Sequence, residues 1–166
     1  MRTGVDAASG RDDFTAGLPR KRMAAGVLMT DDADRVLIVE PVYKDDWEIP
    51  GGTVEADESP YAAAGREIAE ELGLSRPVGG LLVVDWVSPR PGRTEGLMLV
   101  FDGGRLTAEE IAGLALPADE LRGYVLCAVA EAAVLLSPVL ARRLTAAVAA
   151  RASGTVAYLE DGHPVA

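Results

Sequence analysis

Gly51-Gly52-Thr53-Val54-Glu55-Ala56-Asp57-Glu58-Ser59-Pro60-Tyr61-Ala62-Ala63-Ala64-Gly65-Arg66-Glu67-Ile68-Ala69-Glu70-Glu71-Leu72-Gly73-Leu74 decides the reading of this chain. Two glycines open it as a turn. Ser59 offers an N-cap hydroxyl, and Pro60 takes the first helical position, where a missing N–H removes no intrahelical bond. Ala-rich sequence carries the helix to Leu72, and Gly73 supplies a left-handed stop. On that helix Tyr61, Gly65, Ile68, Ala69 and Leu72 share one side. Glu67, Glu70 and Glu71 share another, at the i, i+3, i+4 spacing of surface neighbours.

The acidic side carries the chemical information. Like charges at this spacing destabilise an isolated helix by roughly a few tenths of a kcal/mol per pair. Only Arg66 is placed to relieve them, four residues before Glu70. A hard divalent cation among the carboxylates would reverse the sign, because Mg²⁺ takes oxygen ligands from carboxylates and substrate phosphates. On charge alone a solvated acidic face accounts for the pattern equally well. The full spacing is more specific: Gly52, five residues, Glu58, seven residues, then Arg66 through Leu74. This loop–helix pattern resembles the signature box of the Nudix hydrolase family, with every signature position filled.

The resemblance implies an α/β fold, an α/β/α sandwich on a mixed central sheet. It implies metal-dependent hydrolysis of a P–O–P bridge in a nucleoside diphosphate derivative. A nucleoside triphosphate, including an oxidised one, leads as substrate, with a nucleotide sugar second. Mg²⁺ is the expected cofactor, with Mn²⁺ as a substitute. Carried over by position, Glu70, Glu71 and the Gly51 carbonyl are metal ligands. Glu67 completes the metal site or takes the proton from the attacking water. Arg66 orients these carboxylates, and Glu58 steadies the arrangement or binds through water. Asp57 departs from the pattern, since many relatives have glycine there. A further acid from outside the box is expected; Glu120, Asp119 and Glu131 are the candidates, with Glu120 favoured at a loop–strand boundary. Homodimers are common in the family. A nucleotide-sensing domain without catalysis is the competing class, but such a domain need not keep its glutamates. Isomerisation of a prenyl diphosphate would need a protonating cysteine or acid near the metal, a context that Cys127 lacks.

Working outward, 166 residues with 49% hydrophobic content suit one globular domain, placed at 20–166 behind a flexible tail at 1–19. A net charge of −10 argues against a nucleic-acid polymer or an anionic membrane as partner; a small anionic substrate would need metal ions to offset that charge, and the resemblance implies a small phosphoanhydride. Cys127 is the single cysteine, so no intrachain disulfide forms, and its apolar run suggests a buried thiol. The beginning of the chain lacks a signal-peptide stretch, and Glu131 interrupts the longest apolar run, so a cytoplasmic protein is expected.

Before the box, Arg22–Thr30 and Arg35–Glu40 read as a hairpin, ended by Pro41. After it, Gly80–Ser88 and Leu97–Phe101 read as strands, the second closed by Asp102-Gly103-Gly104. Leu121–Val129 reads as the last core strand, with a small addition at Thr155–Glu160. Glu131–Leu136 and Val139–Ala152 read as helices, the latter with Leu140, Leu144, Ala147 and Val148 inward and Arg142, Arg143 and Arg151 off that face. Arg90 and Arg93, in the Pro/Gly loop between strands, are candidates to meet a substrate phosphate or sugar, and Trp47 to stack on a base. A solvated loop tip and core packing are the plainer readings of these three.

Overall fold

A computed structural model describes residues 14–165. The expected 1–19 tail therefore lies mostly outside the described residues; of its remainder, residues 14–16 are helical and exposed. The sheet has eight strands: β1 (Arg22–Thr30), β2 (Val36–Pro41), β3 (Gly51–Thr53), β4 (Leu81–Val87), β5 (Gly96–Arg105), β6 (Leu121–Cys127), β7 (Ala157–Glu160) and β8 (His163–Pro164). Their order is β6-β2-β1-β5-β4-β7-β8, with β3 paired to β1 beside that path. The pairs β1–β5 and β4–β7 are parallel and the others antiparallel, so the sheet is mixed.

Alternation along the strands builds two cores. On β1 and β2, Val27, Met29, Leu37 and Val39 face one layer, where Ala63, Ala64, Ile68 and Leu72 of α1 (Pro60–Leu72) meet them. Leu28, Val36 and Ile38 face the other, against α3 (Val129–Leu135) and α4 (Pro138–Ser153). Both faces of the central strands are covered, which explains their continuous apolar runs. A short α2 (Ala108–Ala112) follows β5. The result is the expected α/β/α sandwich. Among the described residues no helix is long and apolar enough to cross a membrane.

Four readings change. The buried side of α1 is rotated from the expected one: Ala63, Ala64, Ile68, Leu72 and Glu71 are buried, while Tyr61 is half exposed. Tyr61 covers the edge instead, with its ring against Phe101 and its hydroxyl donating to the Val78 carbonyl at 2.6 Å. Strand β5 runs through Asp102-Gly103-Gly104 rather than stopping there, with a register shift opposite Leu28 and Met29. A Cβ on Gly103 would lie 2.5 Å from side-chain atoms of both Met29 and Val27, so this glycine serves close packing, not a turn. Strand β6 ends at Cys127 rather than Val129, and the expected small addition is β7, which pairs beside β4 and buries Leu159. Finally, Arg143 lies nearly buried, tied to Asp85 of β4, because a carboxylate enclosed within the sheet needs a charged partner.

Candidate active site

The site begins where β3 runs antiparallel to β1, with Gly51 opposite Gly26 and Gly52 opposite Ala25. At Gly51, φ is +140°, and a Cβ would sit 2.2 Å from the Ala25 carbonyl oxygen. At Gly52 a Cβ would sit 2.3 Å from Glu67 Oε1. The missing side chain at Gly51 lets β3 lie close on β1, and the one missing at Gly52 lets the Glu67 carboxylate rest on the turn. The Gly51 N–H donates to Glu71 Oε2 at 2.8 Å. Glu70 faces outward, its side chain 57% exposed.

Helix α1 holds these groups at fixed height because both its ends are capped. Ser59 Oγ accepts from the Ala62 N–H at 3.1 Å, and the Gly73 N–H reaches the Ala69 carbonyl at 3.1 Å. Such an N-cap is worth about 1 kcal/mol. Arg66 then ties helix and loop together. Its Nε and Nη2 donate to the two Glu58 oxygens at 2.9 and 3.0 Å, and its Nη2 also donates to the Thr53 carbonyl at 3.1 Å. Its Nη1 donates to Glu67 Oε1 and Glu70 Oε2, each at 2.9 Å. The Glu55 N–H also donates to Glu58, at 3.0 Å. Asp57, beside it, has φ +63°, which explains why glycine suits this position and why aspartate is tolerated.

Electrostatics follow from this geometry. Hydrogen bonds from Arg66 hold the Glu58 carboxyl below its ordinary value. Burial raises Glu67 above its own, against the pull of Arg66. Glu71 is pushed up to about 8, chiefly by burial and further by Glu67, Glu48 and Glu120, with only the Gly51 N–H opposing. A buried and a half-buried carboxylate raised in this way beside a third would be favoured by nearby positive charge.

The donor set suits a hard cation. Glu67, Glu70 and Glu71 each have one oxygen engaged by an N–H and the other without a hydrogen-bond partner among the described residues. Among those residues no group of three or more acids stands in coordinating geometry: Arg66 Nη1 is shared by Glu67 and Glu70, and the Gly51 N–H engages Glu71.

The other sequence candidates separate. Glu120 is exposed, lies where β6 begins, and is close enough to raise both Glu67 and Glu71. Glu131 is occupied at the start of α3, accepting from the Ala128 N–H at 2.9 Å. Asp119 is exposed, with no hydrogen bond or ion pair among the described residues. A cleft of about 720 Å³ adjoins the Gly51–Gly52 turn, and Arg90 and Arg93 line it. Trp47 does not line it. Its side chain packs against the α3–α4 layer, away from this cleft, and its backbone N–H donates to the Leu135 carbonyl at 3.1 Å. Tyr43, Lys44 and Glu48 stand on the cleft wall instead, with the Tyr43 hydroxyl donating to Glu48 at 2.9 Å and Lys44 paired to the same carboxylate. Arg22 and Arg143 also line the cleft, and sequence reasoning missed both. Asp85, alone in an apolar strand, was the available signal for Arg143. Cys127 is buried and free, and burial raises its thiol above the ordinary value.

An α/β/α sandwich carrying a glycine turn under three helix glutamates is the arrangement that the sequence box implies. The NUDIX domain family model matches residues 20–148, and the chain belongs to the Nudix family. It is 40% identical over 76 residues to diphosphoinositol polyphosphate phosphohydrolase 2 of Rattus norvegicus, covering 45% of this chain and 42% of that protein. It is 40% identical over 55 residues to the RNA pyrophosphohydrolase of Pseudomonas putida (strain GB-1), covering 33% of this chain and 35% of that protein. The chain thus spans less than half the length of these curated relatives. The MutT protein from Methanosarcina mazei Go1 shares its fold, with a TM-score of 0.65 at 18% identity over 83% of this chain and 99% of that one.

Proposed function

We propose that this protein is a divalent-metal-dependent pyrophosphohydrolase that cleaves one P–O–P bridge of a small phosphoanhydride. The observation that carries the reading is the convergence of Glu67 and Glu71 on the Gly51–Gly52 turn with Glu70 beside them, each keeping an unshared oxygen. Glu67, Glu70, Glu71 and the Gly51 carbonyl would hold the cation, Mg²⁺ or Mn²⁺. The cation, when bound, supplies neutralisation of the pyrophosphate and acidification of a water.

The chain's own residues supply the rest. Arg66 offsets the repulsion between Glu67 and Glu70 by bridging them and fixes which oxygen of each is left free. Glu120, exposed and within electrostatic reach of Glu67 and Glu71, is the base that would take the proton as water attacks phosphorus and the bridging P–O bond breaks. Glu67 is the alternative base. The adjoining cleft has the volume of a nucleotide-sized ligand. A nucleoside triphosphate, oxidised or not, is the first substrate class to test and a nucleotide sugar the second. One relative is named for diphosphoinositol polyphosphates and another for RNA, so both substrate types belong on the same panel.

The test is Mg²⁺-dependent release of phosphate or pyrophosphate across that panel. Release that stops with chelator supports the proposal. A nucleotide that binds tightly while nothing on the panel turns over would replace it with a sensing domain.

A further inference from the structure

The cleft beside the glutamates has a second charged rim. Arg22 at the start of β1, Arg90 and Arg93 in the β4–β5 loop, and Arg143 in α4 all line it. The fold brings them together by two local devices. Arg22 Nε donates to the Thr94 carbonyl at 2.8 Å, pinning the β4–β5 loop beside β1. The Arg90 and Arg93 backbones bond each other in both directions at 2.9 Å, closing the loop tip. The Arg22 guanidinium is held below its ordinary value by burial and then by Arg93, Arg143 and Arg90, so Arg22 feels the other three charges.

The protein only partly compensates this rim. Arg143 is held by Asp85, whose Oδ2 accepts from Nε at 2.8 Å and Nη2 at 2.6 Å, while Oδ1 accepts from the Gly162 N–H. That leaves Arg143 Nη1 without a partner among the described residues. Arg90 stands 3.6 Å from Asp161. Among the described residues neither Arg22 nor Arg93 has a carboxylate within ion-pair distance. In a chain of net charge −10, four guanidiniums around one cleft are a concentration that an anion would stabilise. Among the described residues Tyr43 is the only aromatic on the cleft wall, and it is hydrogen-bonded to Glu48 on the glutamate side. The rim is therefore built to meet charge and offers no ring to stack on a base.

We propose that Arg22, Arg90, Arg93 and Arg143 form a subsite for a second anionic group, so that the substrate is a phosphoanhydride whose remote end carries phosphate monoesters. This rests on the pyrophosphohydrolase reading and narrows it. Asp85, fully buried, fixes the Arg143 fork.

The experiment has two readouts. Inositol hexakisphosphate, which has phosphate monoesters and no anhydride, is titrated into metal-free protein with excess chelator. The wild type binds it, and Arg93→Ala and Arg22→Ala each weaken binding by about tenfold or more. Arg93 sits on an exposed loop with no side-chain partner among the described residues, so its variant isolates charge from folding. In parallel, hydrolysis of NADPH is compared with NADH, which lacks the remote phosphate. Wild-type kcat/KM favours NADPH by about tenfold, mainly through KM, and the ratio shrinks in both variants. Equal binding by wild type and variants, or equal hydrolysis of the two dinucleotides, overturns the subsite. Because binding is read without metal, its failure alongside an active panel refutes the rim alone. Intact binding beside an inactive panel supports the rim and counts against the pyrophosphohydrolase reading.

Discussion

The two rims of the cleft are built in opposite ways. The glutamates come from one helix and are placed by helical spacing alone, so residues 67 to 71 and a nearby glycine turn specify them. The arginines come from β1, the β4–β5 loop and α4, and only the tertiary fold makes them neighbours. One rim is negative, partly buried and short of positive charge. The other is positive and short of negative charge. A local motif can define a reaction, whereas the surface that selects the reactant is assembled from distant segments. The same fold can thus keep its chemistry while its substrate changes.

Substitutions can break either rim. The largest effect expected is on stability, from Asp85→Ala. It leaves Arg143 nearly buried without its carboxylate, and removing one partner of such a pair costs about 3–5 kcal/mol. Thermal or urea unfolding reads the loss; an unchanged midpoint would mean that the pair adds nothing to the sheet. Next comes Glu71→Gln, which keeps the shape but removes a charged ligand, and turnover should fall by about a hundredfold or more. Circular dichroism should show the fold intact, since the Gly51 N–H can still bond to an amide oxygen.

Arg66→Lys is a subtler disruption of the glutamate rim. A lysine cannot reproduce a guanidinium that bonds Glu58, Glu67 and Glu70 at once, so kcat should fall by about tenfold with KM nearly unmoved. The smallest effect is on pH dependence. Glu71 is raised from its ordinary 4.5 to about 8, so metal-free folded protein holds a proton there that the unfolded chain releases. Between those values the folded state binds more protons, and stability falls as pH rises. A cation replaces that proton, so Mg²⁺ should raise the melting temperature more at pH 8 than at pH 6. An equal rise at both pH values would mean that Glu71 is not among the ligands.

What the sequence disclosed follows the same division. The capped helix, the glycine turn, the Arg66–Glu70 pair and most strands were legible because each depends on neighbours within a few residues. Glu120 could be picked out only as an acid at a strand entrance; its closeness to Glu67 and Glu71 depends on β6 lying beside β2 at the sheet edge. Arg143 was read as facing away from its helix's apolar side, since hydropathy cannot anticipate an ion pair to a buried strand aspartate. Trp47 was a candidate to stack on a base, with core packing as the plainer reading. In the fold that segment bridges toward Leu136 and takes the side chain into the α3–α4 layer. Gly103-Gly104 looked like a strand end, and only the close approach of Met29 and Val27 shows why the strand continues.

The central claim is that the glutamates of α1 hold a divalent cation against the Gly51–Gly52 turn. Its most direct measurement is Mn²⁺ binding followed by electron paramagnetic resonance, in wild type and in a Glu70→Gln/Glu71→Gln double variant, without substrate. The account predicts that the wild type removes free Mn²⁺ signal saturably, that Mg²⁺ competes, and that the double variant, though folded, leaves the signal unbound. Equal Mn²⁺ binding by both proteins would contradict it.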